Sequence, residues 1–120
     1  LLAEDSDIVR EVLAEELRQA GYQVLTAASG PEALQRAQAH DGPIHLLLTD
    51  VVMPEMSGVE LAAQLTAKDS IPVIYMSGYT EETIAHHGVD PEKTPFIAKP
   101  CMANTLLHLI HRVIHLDARM

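Results

Sequence analysis

The chain has 120 residues, 48% of them apolar, with 17 acidic side chains against 8 Lys plus Arg and a net charge of −9. That length bounds one domain, taken as residues 1–120, with an ordinary core; the acidic balance disfavours direct contact with nucleic acid or an anionic membrane, whose phosphates demand a basic surface. The single Cys permits no internal disulfide, no apolar run approaches a membrane span, and no signal-peptide pattern is read, so the expected compartment is the cytoplasm.

Strand and helix signals then alternate. Leu1–Ala3 reads as the stub of a first strand that runs into Glu4-Asp5. Asp5-Ser6-Asp7 supplies N-cap chemistry for a helix with Val9, Leu13, Leu17 and Ala20 on one face, ended by Gly21. Tyr22–Thr26 reads as a second strand, and Ser29-Gly30-Pro31 opens a second helix carrying Ala33, Leu34 and Ala37. After the breaker Asp41-Gly42-Pro43, Ile44–Thr49 forms a third strand that delivers Asp50 to its tip. Ser57-Gly58 starts a third helix through Leu61 and Leu65. Ile71–Met76 is an apolar fourth strand ending at Ser77, Thr80–His87 a short helix, Val89–Pro95 a loop, and Phe96–Ala98 a fifth strand before Lys99. Met102–Leu116 is a final helix with Leu106, Leu107, Ile110, Val113 and Ile114 inward. Such alternation argues for a parallel sheet covered on both faces, joined by right-handed crossovers. Because the chain opens at Leu1 rather than Met, it is expected to be a piece of a longer polypeptide or one with disordered ends.

In open parallel sheets, chemistry sits beyond the carboxyl ends of the strands. Converging strand tips would bring Glu4, Asp5 and Asp50 together. Like charges so close oppose ionisation, and a hard dication such as Mg²⁺ relieves them. Carboxylates such as Asp50 also form acyl-phosphate intermediates. Phosphoryl oxygens then need an ammonium and a hydroxyl as well as metal, which Lys99 and Ser77 supply. Seven His invite a metal reading, but His108, His111 and His115 share a helix face with no accompanying Cys or Glu pattern and are read as solvated.

Glu4-Asp5, Asp50 with Met53-Pro54 and Gly58, Ser77-Gly78 and Lys99-Pro100 together resemble the receiver domain of two-component response regulators, over the whole chain. Met76-Ser77-Gly78-Tyr79-Thr80 is similar to receivers attached to hybrid sensor kinases. The resemblance implies a flavodoxin-like (βα)5 three-layer sandwich of strand order 2-1-3-4-5. It implies that Asp50 accepts phosphate from a histidine kinase or phosphotransfer protein, in a signalling module rather than an enzyme. It implies Mg²⁺ held by Asp5, Asp50 and the backbone carbonyl of Val52, with Glu4 acting mainly through water. Ser77 and Phe96 match the switch positions, and a monomer or weak dimer is expected. On the first helix, Ile8, Val12 and Glu15 flank the core face, and the resemblance implies that this flank docks a helical histidine phosphodonor. Position 101, often Phe in the family, is Cys here, and Phe96 lacks the phenolic hydroxyl of a Tyr.

Three other readings compete. A phosphatase of the haloacid dehalogenase type wants a second Asp two positions after the nucleophile, where this chain has Val52. A flavodoxin wants a hydroxyl-rich loop after the first strand, where Glu4-Asp5-Ser6-Asp7 would repel phosphate. A phosphate-independent receiver used for docking usually lacks one of the acids or the Lys, and all are present.

Overall fold

A computed structural model describes residues 1–67, 71–77, 95–99 and 103–118. Within them, β1 (Leu2–Ala3), β2 (Thr26–Ala27), β3 (Leu47–Asp50), β4 (Val73–Ser77) and β5 (Phe96–Ala98) form one sheet of order β2-β1-β3-β4-β5. Every pairing is parallel. The helices are α1 (Asp7–Gln19), α2 (Gly30–Ala39), α3 (Gly58–Thr66) and α4 (Ala103–Ala118). The alternation predicts a parallel sheet covered on both faces, and the strand order is the flavodoxin-like one that the resemblance implies. The expected helix Thr80–His87, together with Gly78 and Cys101, lies outside the described residues.

Alternation along the strands builds two cores. Leu2, Leu48, Ile74 and Ile97 face α1 and α4, where Leu13, Leu17, Leu106 and Ile110 meet them. Their neighbours Ala3, Leu47 and Tyr75 face α2 and α3, against Ala33, Leu61 and Ala62. Both faces of the sheet are therefore buried, which is why its strands read as continuous apolar runs rather than alternating ones. Among the described residues no helix is long and apolar enough to cross a membrane.

Local chemistry sets the helix starts. Ser6, Ser29 and Ser57 are the N-caps, each hydroxyl accepting a backbone N–H three residues on, from Val9, Glu32 and Glu60. These bonds satisfy donors that the first turn leaves free.

Strand boundaries depart from the apolar runs. The expected second strand Tyr22–Thr26 is a ladder only at Thr26–Ala27. Tyr22 N–H still donates to the carbonyl of Leu17 at 3.1 Å, so its segment closes the end of α1 before it can pair. Pro72 has no N–H to donate, and β4 begins after it at Val73. Ala20, expected on the core face, is exposed at the C-cap of α1.

Candidate functional site

Glu4 follows β1, Asp50 ends β3 and Lys99 follows β5. Each stands two residues beyond a member of the α1/α4 core, namely Leu2, Leu48 and Ile97. Period-two alternation therefore sends all three side chains to the same side of the sheet. Their backbones are fixed from neighbouring strands: Glu4 N–H donates to Ala27 at 3.0 Å and Lys99 N–H to Ser77 at 2.8 Å.

The result is a buried charge cluster. Glu4 and Asp50 are 0% and 3% exposed. Lys99 Nζ lies 2.5 Å from Asp50 Oδ1 and 2.7 Å from Glu4 Oε2, as ion pairs. Glu4 Oε1 accepts the N–H of Ser6 at 3.1 Å, which ties the cluster to the start of α1. Asp5 stands at the exposed mouth, and one carboxylate oxygen from each of Glu4, Asp5 and Asp50 falls within 4.8 Å of the others. Among the described residues, Asp50 Oδ2 is buried with no hydrogen-bond partner. Leaving a buried carboxylate oxygen unpaired is costly, so this atom marks where a ligand belongs. The donor set, all oxygen and mostly charged, fits a hard dication of the Mg²⁺ type.

Burial, and after it the neighbouring Glu4, push the Asp50 carboxyl up to about 8 against the opposing pull of Lys99. Burial alone would lower Lys99, but the attraction of Asp50 and Glu4 outweighs it and holds the ammonium above its ordinary range. One cation thus serves two acids, and a second positive charge would favour ionised Asp50.

The remaining expected residues sit around this cluster. Ser77 is 4% exposed at the end of β4. Phe96 pairs in register with Tyr75, two positions before Ser77, so Ser77 and Phe96 share the α2/α3 side of adjacent strands. Val52 lies in the loop after Asp50 and is exposed. On α1, Ile8 is 76% and Val12 50% exposed, and Glu15 is exposed beside them. His108 and His111 are exposed on α4, and among the described residues no His joins the carboxylate cluster.

Two contributors were not read from the sequence. Arg10, on the first turns of α1, donates from Nη1 to the carbonyl of Glu4 at 2.9 Å and pairs with Asp7. Its signal is the Asp7–Arg10 spacing, but nothing local shows that the guanidinium turns back to the strand end. Thr49 is fully buried and donates its hydroxyl to the carbonyl of Asp50 at 3.0 Å.

A family model, "Response regulator receiver domain", matches residues 1–111. The response regulator receiver protein CpdR of Brucella abortus is 34% identical over 95% of this chain and 94% of its own. The sensor kinase CckA of Brucella abortus is 40% identical over 83% of this chain but 11% of its own. The chain also spans half the length of the response regulator RR06 of Streptococcus pneumoniae. Among solved structures, the receiver domain of the hybrid histidine kinase CckA superposes with a TM-score of 0.78 at 35% identity, covering 94% of this chain and 95% of that one.

Proposed function

This chain belongs to the response regulator receiver domain family, and we propose that it works by accepting a phosphoryl group on Asp50 from a histidine phosphodonor. Receiver domains are signalling modules that act with histidine kinases or phosphotransfer proteins in two-component systems. The observation that carries the reading here is the unpaired, buried Oδ2 of Asp50, set among Glu4, Asp5 and Lys99.

In the transfer, an Asp50 oxygen attacks phosphorus as the P–N bond of the phosphohistidine breaks and the leaving imidazole takes up a proton. An acyl phosphate forms on Asp50. Asp5, Asp50 and the Val52 carbonyl would hold Mg²⁺, with Glu4 acting mainly through water. Bound there, Mg²⁺ supplies charge neutralisation for the acids and the phosphoryl oxygens. Lys99 exchanges its pairing with the carboxylates for a phosphoryl oxygen. The Ser77 hydroxyl donates to another, and Phe96 fills the space that Ser77 leaves. This repacking shifts a population between two arrangements rather than making a new fold.

The exposed Ile8 and Val12, with Glu15, offer the docking flank for the donor helix. Residues 1–120 are read as this one unit.

Incubation with acetyl phosphate and Mg²⁺ tests the reading. The account expects one added phosphoryl mass, labile to hydroxylamine and lost in Asp50→Asn. An Asp50→Asn variant that gains the mass at the wild-type rate overturns the assignment. A wild type that gains none favours a phosphate-independent docking module.

A further inference from the structure

Asp50 pairs in register with Met76 of β4, but on the β1 side its carbonyl has no strand partner among the described residues. Leu48 N–H donates to Leu1 on the β1 flank of β3. Alternate residues of a strand present their N–H and C=O groups to the same flank, so Asp50 faces β1 as well. Yet β1 stops at Ala3, whose partner on β3 is Thr49. Among the described residues no backbone N–H from β1 continues the ladder to the Asp50 carbonyl, because the chain bends at Asp5 and enters α1 after the Ser6 cap. The Asp50 carbonyl instead accepts the Thr49 hydroxyl at 3.0 Å. Gly58 closes the remaining approach: a Cβ on it would fall 1.9 Å from that carbonyl oxygen. Immediately after Asp50 the chain is pinned, with Val51 N–H donating to the Met76 carbonyl at 3.1 Å and Gly58 N–H to the Val51 carbonyl at 2.8 Å.

We infer that Thr49 is a positioning residue for phosphoryl acceptance, its buried hydroxyl standing in for the absent strand neighbour and fixing the peptide from which the Asp50 carboxylate projects. The inference rests on the proposed role of Asp50. The competing role for Thr49 is that of a β-branched strand former whose hydroxyl is merely satisfied. That role predicts a change in stability without a selective change in rate.

Thr49→Val keeps the shape and removes the hydroxyl; Thr49→Ser keeps the hydroxyl and removes the methyl that lies near Gly58. Phosphorylation by acetyl phosphate at saturating Mg²⁺ is measured for both, with Mg²⁺ affinity from an NMR titration and cooperative melting to show folding. The expected result is a maximal rate about tenfold lower in Thr49→Val, from a displaced reacting group, with an unchanged KM for acetyl phosphate. Mg²⁺ binding weakens severalfold in the same variant, and Thr49→Ser restores both to within about twofold of wild type. Equal rates and equal Mg²⁺ affinities in Val, Ser and wild type overturn the inference. Should Thr49→Val not fold, Thr49→Ala replaces it: Ala and Ser share the lost methyl and differ in the hydroxyl, and equal values in that pair overturn the inference too. A wild type that acetyl phosphate does not modify overturns the proposed function itself, and the Mg²⁺ affinities then decide the Thr49 role. A wild type that binds no Mg²⁺ overturns both.

Discussion

Gly58→Ala probes the tightest approach in the site. A Cβ at this position would stand 1.9 Å from the Asp50 carbonyl oxygen, 2.9 Å from its carbon and 3.1 Å from Thr49 Cγ2. The first two atoms are backbone, so no rotamer change relieves them. Either the N-terminus of α3 or the end of β3 must move by more than an ångström. Alanine in a helix recovers about 1 kcal/mol relative to glycine. Overpacking costs about 1–3 kcal/mol where side chains can adjust, and a backbone clash belongs at or above the top of that range. The expected net loss is about 2 kcal/mol, which for a domain of this size lowers the melting temperature by about 6–10 °C. Because the displaced peptide is the one bearing Asp50, phosphorylation by acetyl phosphate should fall by about 10²-fold in the protein still folded at 25 °C. Calorimetry or circular dichroism gives the first quantity and intact-mass kinetics the second. A Gly58→Ala variant that melts at or above wild type, or that keeps the wild-type rate, refutes the reasoning about this contact.

Three further outcomes follow from the charges and the exposed flank. Asp50 carries a folded-state value of about 8 against an ordinary 3.8, so its ionisation opposes folding. That penalty is absent below about pH 4, grows as pH rises toward 8 and is constant above. In Mg²⁺-free buffer at pH 7, Asp50→Asn should therefore be more stable than wild type by about 2 kcal/mol after allowance for solvent screening. The gap should close as pH falls to 4, and urea unfolding across that range showing no gap at pH 7 would contradict the burial argument. Millimolar Mg²⁺ should raise the melting temperature, by about 1.4 kcal/mol of stabilisation at tenfold over Kd, and a variant lacking Asp5 and Asp50 should show no such shift. Ile8→Ala should slow transfer from the cognate histidine phosphodonor about tenfold or more while leaving acetyl phosphate kinetics unchanged, since the small donor needs no docking surface; equal losses with both donors would mean damage to the site or fold.

Much of this molecule is legible before its coordinates. The run Leu46-Leu47-Leu48-Thr49 ending in Asp50 announces a doubly buried strand with a carboxylate at its tip. Serines before Val9, Glu32 and Glu60 announce the three helix starts, and all three serve as N-caps. The strand order follows from the alternation together with the family resemblance. What stayed hidden depends on tertiary approach. Tyr22–Leu25 has a strand's composition, but its pairing is limited by how α1 ends, which no local pattern encodes. Arg10 looks like a surface helix residue until α1 is laid across the end of β1. Thr49 looks like any β-branched residue, because its hydroxyl partner is a carbonyl orphaned only when β1 turns away. Hydroxyls that replace a ladder bond leave no periodic signature.

The central claim is that Asp50 receives the phosphoryl group. Borohydride reduction converts an aspartyl phosphate to homoserine, so protein treated with acetyl phosphate and Mg²⁺, reduced and digested, reports the modified position by peptide mass. The account predicts homoserine at position 50, dependent on Mg²⁺ and abolished in Lys99→Ala or strongly reduced. Homoserine at Asp5 or another acid, or at position 50 in undiminished yield without Mg²⁺, would contradict it.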